Sequence, residues 1–149
     1  MEKESIINLL KIFFKKCADQ YGIECSFLYG SWGSGEPRED SDVDIAILFS
    51  DTDSSDNETF DSITDISLRL TEKLCLETSV LVLDWDFKHP MLYYNAIVHG
   101  IPVFVRHSDT YHSLILEAIY QMEDFSLFGT DWQLKIARKN MEALTHARL

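Results

Sequence analysis

Gly30-Ser31-Trp32-Gly33-Ser34-Gly35-Glu36-Pro37-Arg38-Glu39-Asp40-Ser41-Asp42-Val43-Asp44-Ile45 is the stretch on which the fold of this chain turns. Before it, Cys25 to Tyr29 reads as a short strand, and the glycines that follow mark a tight, exposed turn. After it, Asp42 to Phe49 reads as a second strand, apolar on both faces beyond its start, as expected of a central strand covered on both sides. Residues two apart on a strand share a face, so Asp42 and Asp44 project side by side about 7 Å apart along the backbone. Like charges that close call for a cation. Mg2+ suits them, because it is hard, takes oxygen ligands, and is usually held by one or two carboxylates together with phosphate oxygens. The glycine turn supplies the other half: at Gly30 and Ser31 the backbone can approach a ligand and offer amide donors to phosphate, and Ser31 adds a hydroxyl.

Ile6, Leu9, Leu10, Phe13, Phe14 and Cys17 form the stripe of an amphipathic helix over about Lys3 to Asp19, ended by Gly22. Asn57 is a good cap for a helix carrying Phe60, Ile63, Ile66, Leu70 and Leu74, and Val80 to Asp84 gives a third strand. Pro90 suits the start of a helix that Gly100 stops, and Ile101 to Val105 an edge strand in which Pro102 is tolerable. Tyr111 to Met122 carries a strong helical stripe, and after Gly129 the Thr130-x-x-Gln133 spacing predicts a separate last helix. A single domain over 1–149 follows, with a core at about 20–106 and C-terminal helices at about 109–149.

The chain has 149 residues, 46% of them hydrophobic, enough for one core. No apolar run is long enough to span a membrane and no secretory leader is evident, which predicts a cytoplasmic protein. A formal charge of -12 disfavours nucleic acid as a direct partner and favours a basic one. Glu36 to Asp61 holds ten carboxylates against one basic residue, Arg38, so a cation-binding centre belongs in that half. Cys17, Cys25 and Cys75 show no metal-ligand spacing and read as reduced core thiols. The five histidines show no paired spacing either and read as surface or capping residues. Asp51 to Ser62 has neither the glycine nor the final glutamate of a calcium loop. Trp32 could stack on a base or cover the core, Tyr111, Tyr120, Phe125 and Phe128 read as core aromatics, and the last segment's cations read as a solvated face.

Gly30-Ser31, ten intervening residues and Asp42-Val43-Asp44 resemble the Gly-Ser-x10-Asp-x-Asp signature of the DNA polymerase beta-type nucleotidyltransferases. The wider stretch to Ile45, with Val80 to Trp85 and Pro90 to Val105, is similar to the minimal nucleotidyltransferases, and among these to the antitoxins paired with HEPN-domain ribonuclease toxins. The resemblance implies an α+β fold, a small mixed sheet flanked by helices. It also implies transfer of AMP from ATP, with Mg2+, to a tyrosine hydroxyl of a helical HEPN partner, which silences the ribonuclease. Gly30 and Ser31 would bind the nucleotide, and Asp42 and Asp44 would hold the metal and act in catalysis. The chain departs from the pattern twice. Ser34 stands where the family commonly has arginine, leaving phosphate charge to the metal, amides or Arg38. Leu81 stands where the family has its third metal-binding aspartate; Asp84 is a possible replacement, with Glu77 and Asp86 near in sequence. A catalytically weak antitoxin that acts by binding, and an adenylyltransferase of small molecules such as antibiotics, are the alternatives.

Overall fold

The computed structural model describes residues 2–34, 41–50 and 56–147; the side chains of 34, 56, 128–133 and 145–147 are not described. Gly35, Arg38, Asp51 to Ser55 of the Asp51 to Ser62 stretch and the side chains of Phe128 and Trp132 therefore lie outside the described residues. The elements are α1 (Lys3–Tyr21), β1 (Ile23–Tyr29), α2 (Gly30–Ser34), β2 (Val43–Phe49), α3 (Asp56–Leu74), β3 (Thr78–Leu83), α4 (Pro90–Ile97), β4 (Ile101–Val105) and α5 (Ser108–Ala147). The fold is mixed α+β, as the sequence predicts.

The strands form one sheet in the order β3-β2-β1-β4, with β2 antiparallel to β1 and parallel to β3. β2 is thus interior, which is why Ile45 to Leu48 are all buried. β4 lies at the edge beside β1, where the missing N–H of Pro102 is tolerated. Alternate side chains serve two cores. On one face Leu28, Val43, Ile45 and Ile47 pack against the α1 stripe (Ile6, Leu10, Phe13, Phe14) and the α3 stripe (Ile66, Leu70, Leu74). On the other, Phe27, Ala46, Leu48 and Leu83 meet Tyr93, Ala96 and Ile97 of α4 and Leu114 and Ala118 of α5.

Three expectations are corrected. The helix predicted to break after Gly129 is one helix from Ser108 to Ala147. A single interior glycine costs only about 1 kcal/mol relative to alanine and removes no hydrogen bond, too little by itself to end a helix of 40 residues. Cys75 is an exposed thiol, because it terminates α3 in the left-handed conformation (φ 56°); Cys17 and Cys25 are buried, and all three are free. Tyr120 and Phe125 are 62% and 45% exposed and so are not core aromatics, whereas Tyr111 stacks on Phe27. Among the described residues no helix is long and apolar enough to cross a membrane.

Candidate functional site

The site forms where β1 ends and β2 begins. β1 runs into α2 through Gly30, whose φ of 72° is open to glycine and strained for other residues. The sequence predicts a turn here, and the chain makes it as the five-residue helix α2. A Cβ on Gly30 would overlap Oδ2 of Asp44, so the turn and the carboxylate are in contact only because the side chain is absent. Trp32 settles in the α1-side core, 3% exposed, and its indole N–H donates to the Ser41 carbonyl at 3.1 Å. It is therefore a core residue that ties α2 to the chain just before Asp42. Lys3 Nζ donates to the Gly33 carbonyl at 3.3 Å and fastens the other side of the turn.

Asp42 is exposed and Asp44 half-buried, both at the start of the central strand. Burial first, and the neighbouring charge of Asp42 second, raise the pKa of Asp44 above the ordinary carboxylate value. Directly across the ladder from Asp44 lies Tyr29, whose pKa is pushed up to about 12 by burial and then by Asp44. Tyr29, Gly30, Gly33, Leu92, Asn95 and His99 line a cavity of about 680 Å³. Sequence reasoning missed Tyr29, Leu92, Asn95 and His99. Only Tyr29 carried a sequence signal, its position beside the turn; Leu92 and Asn95 of α4 and His99 just after it arrive by tertiary packing.

The parallel pairing of β2 with β3 decides the question of a third acid. Ser79 is level with Asp44 and Leu81 with Ala46. Leu81 shares the face of Asp44 and packs with the α4-side core, so an apolar side chain occupies that position. Asp84 lies five residues beyond Ser79, about 16 Å along the strand. Its Oδ1 accepts from the amides of Asp86 at 2.9 Å and Phe87 at 3.2 Å, closing a local turn. In this register Asp84, the possible third ligand, lies far from Asp44, and Asp86 farther still. Glu77 is the acid at the right end: its carbonyl accepts from the Val43 amide at 2.8 Å, which extends the ladder to the level of Asp42. Among the described residues no three His, Cys, Asp or Glu side chains converge on one point.

A strand-borne carboxylate pair closed over by a glycine turn, on a four-stranded mixed sheet, defines a nucleotidyltransferase-type domain. The family model "Polymerase beta, Nucleotidyltransferase" matches residues 11–109, and the chain belongs to that family. No curated protein matches its sequence. Among solved structures, a toxin-antitoxin with AMP-PNP is similar at 17% identity and a TM-score of 0.59, over 85% of this chain and 95% of that one. A tri-AMPylated Shewanella oneidensis HEPN toxin in complex with MNT antitoxin is similar at 16% identity and a TM-score of 0.56, over 88% and 96%. A minimal nucleotidyltransferase has 22% identity and a TM-score of 0.52, over 68% and 96%. At these identities the likeness is one of fold.

Proposed function

We propose that this protein is an antitoxin that transfers AMP from ATP to a hydroxyl of a HEPN-type ribonuclease toxin, a tyrosine by the family resemblance, in the cytoplasm. The observation that carries the reading is the contact of the Gly30 turn with Asp44, because it sets a backbone suited to phosphate against a carboxylate suited to a metal. The structural neighbours, a nucleotide-analogue complex and an AMPylated toxin with its antitoxin, support it.

The donor set fits Mg2+. Two carboxylates on one strand face, one of them raised in pKa by burial and then by the other's charge, form a site that a hard cation completes with phosphate oxygens. When bound, the ion would neutralise charge on the triphosphate. Asp42 and Asp44 hold it, the Gly30-Ser31 backbone and the Ser31 hydroxyl position the phosphates, and Asn95 and His99 offer hydrogen-bonding groups to the rest of the nucleotide in the cavity they line. Incubation with labelled ATP, Mg2+ and the co-encoded toxin should label the toxin, and Asp42→Asn with Asp44→Asn should abolish it. No transfer, or transfer that survives the double substitution, refutes the reading.

A second reading has its own observation, the packing of the partly buried Leu81 against an apolar cluster where the family resemblance places an acid. Here the protein neutralises its partner by binding, with slow chemistry or none. Neutralisation that persists in the double aspartate variant supports it; neutralisation lost while the complex survives overturns it.

A further inference from the structure

The last helix carries a surface that its own domain does not use. α5 spans 40 residues, about 60 Å. Its first turns bury Leu114 and Ala118 against the sheet. The opposite face carries Leu116, Tyr120, Leu127, Leu134, Met141 and Leu144, each 56–71% exposed. Their spacings of 4, 7, 7, 7 and 3 follow a heptad, with Tyr120, Leu127, Leu134 and Met141 on one of its two seam positions. A solvated face would alternate polar residues through this stripe, whereas a 3.5-residue apolar period is the seam of a helix that wraps another.

We propose that α5 pairs with α5 of a second copy as an antiparallel two-stranded coiled coil. Charge selects the occupant and its direction. The first half of the helix bears Asp109, Glu117, Glu123 and Asp124 with no Lys or Arg, and the later half bears Lys135, Arg138 and Lys139 against Asp131 and Glu142. Antiparallel alignment lays each acidic half along a basic one. With the crossing point midway between Leu127 and Ala137, Leu127 meets the small Ala137 of the second copy, Tyr120 meets its Leu144, and Asp124 comes beside its Arg138. In this register Glu123 falls opposite Met141 and Thr130 opposite Leu134, and such polar residues in an otherwise apolar seam fix register at a cost in stability. A parallel pair would instead set two domains of charge -12 side by side. The antiparallel pair holds them about 50 Å apart, several times the screening length of about 8 Å in physiological salt. Six large apolar side chains per copy supply about 1,200 Å² in all, the lower edge of a specific interface.

The test is the mass of the full chain in solution by sedimentation equilibrium at tens of micromolar. A species of twice 17.2 kDa is expected. Leu127→Glu with Leu134→Glu should give a monomer that still folds, since both positions are exposed in the single chain, with an unfolding midpoint that no longer rises with protein concentration. Asp124→Arg should weaken the dimer roughly tenfold by turning two symmetry-related pairs repulsive, and adding Arg138→Asp should restore it. A monomeric wild-type chain, a dimer that survives the glutamates, or a charge swap without rescue overturns the proposal. So does a chain that stays monomeric alone and uses the seam only in a complex with a HEPN protein. The readout is independent of AMP transfer, so its failure leaves the functional proposal untouched.

Discussion

Replacing Gly30 by alanine tests the link between turn and carboxylate, because a second glycine provides a matched control. Gly22 and Gly30 both have positive φ, 67° and 72°, but a Cβ at Gly22 meets nothing within 4 Å while one at Gly30 runs into Asp44. The left-handed backbone costs an L-residue about 1–2 kcal/mol. For a chain of 149 residues, about 3 °C per kcal/mol places the fall in melting temperature at about 3–6 °C for Gly22→Ala. Gly30→Ala bears the same cost and must also swing the Asp44 side chain away from the turn. Its distinct signature lies in the ligand response. Mg2+ with ATP at about a hundred times its dissociation constant should stabilise the wild type by about 2.7 kcal/mol, roughly 8 °C. Gly22→Ala should retain that increment, and Gly30→Ala should lose most of it. Thermal denaturation of the three proteins, each with and without Mg2+ and ATP, gives the comparison. Equal ligand increments in the two variants would refute the coupling of the turn to Asp44.

The Asp44→Asn variant should melt higher than wild type in EDTA: two charges about 7 Å apart repel by about 0.6 kcal/mol in water and about 2.4 at an effective dielectric constant of 20. Since Asp42 is exposed, the gain should lie near about 1 kcal/mol, or about 3 °C, and the Mg2+ and ATP increment should disappear; a lower melting temperature in EDTA contradicts this. Glu24 is 6% exposed, and although burial pushes its pKa up, hydrogen bonds from His107, Ser50 and Thr110 outweigh it and hold the carboxyl below its ordinary value of 4.5. A depressed carboxylate contributes stability above its unfolded pKa and loses it as pH falls through the folded one. Urea midpoints should therefore drop below pH 4.5, and Glu24→Gln should lower the midpoint at pH 6 and flatten that acid limb; an unchanged slope counts against the assignment. At Gly100, a Cβ would penetrate the Ala96 carbonyl oxygen and lie 3.1 Å from that of Leu28, both backbone atoms that cannot rotate away. Gly100→Ala should lower stability by about 1–3 kcal/mol in urea titrations, and a neutral effect would show that α4 and β4 shift freely.

What was legible in the sequence was what is local. The Asp42-Val43-Asp44 pair and the glycines before it lie within one strand and one turn, where period-2 geometry and the special φ of glycine determine side-chain direction. The helical stripes of α1 and α3 were legible for the same reason, since each reports its own buried face. What escaped depends on contacts between distant segments. Asn95 and His99 reach the cavity only because α4 packs on the sheet beside β1. The distance of Asp84 from Asp44 follows from the β2-β3 register, which strand parity alone does not fix. Gly129 misled because a glycine is a strong signal at a helix end and a weak one inside a long helix.

The position of Leu81 bears on which acceptor the proposed reaction can use. Transfer of AMP requires the attacking hydroxyl to lose its proton, and a third carboxylate would ordinarily assist that loss. Leu81 offers no such group, and it sits among apolar neighbours that would make an acid there costly. The burden then falls on the acceptor itself. A serine or threonine hydroxyl is a far weaker acid than the phenol of tyrosine, whose pKa is about 10, within reach of metal and backbone electrostatics at neutral pH. On the proposed reading, with leucine where the family resemblance places a third acid, the site would be better matched to a tyrosine than to an aliphatic hydroxyl. The feature that weakens the case for general catalysis narrows the acceptor toward the one that the family resemblance implies.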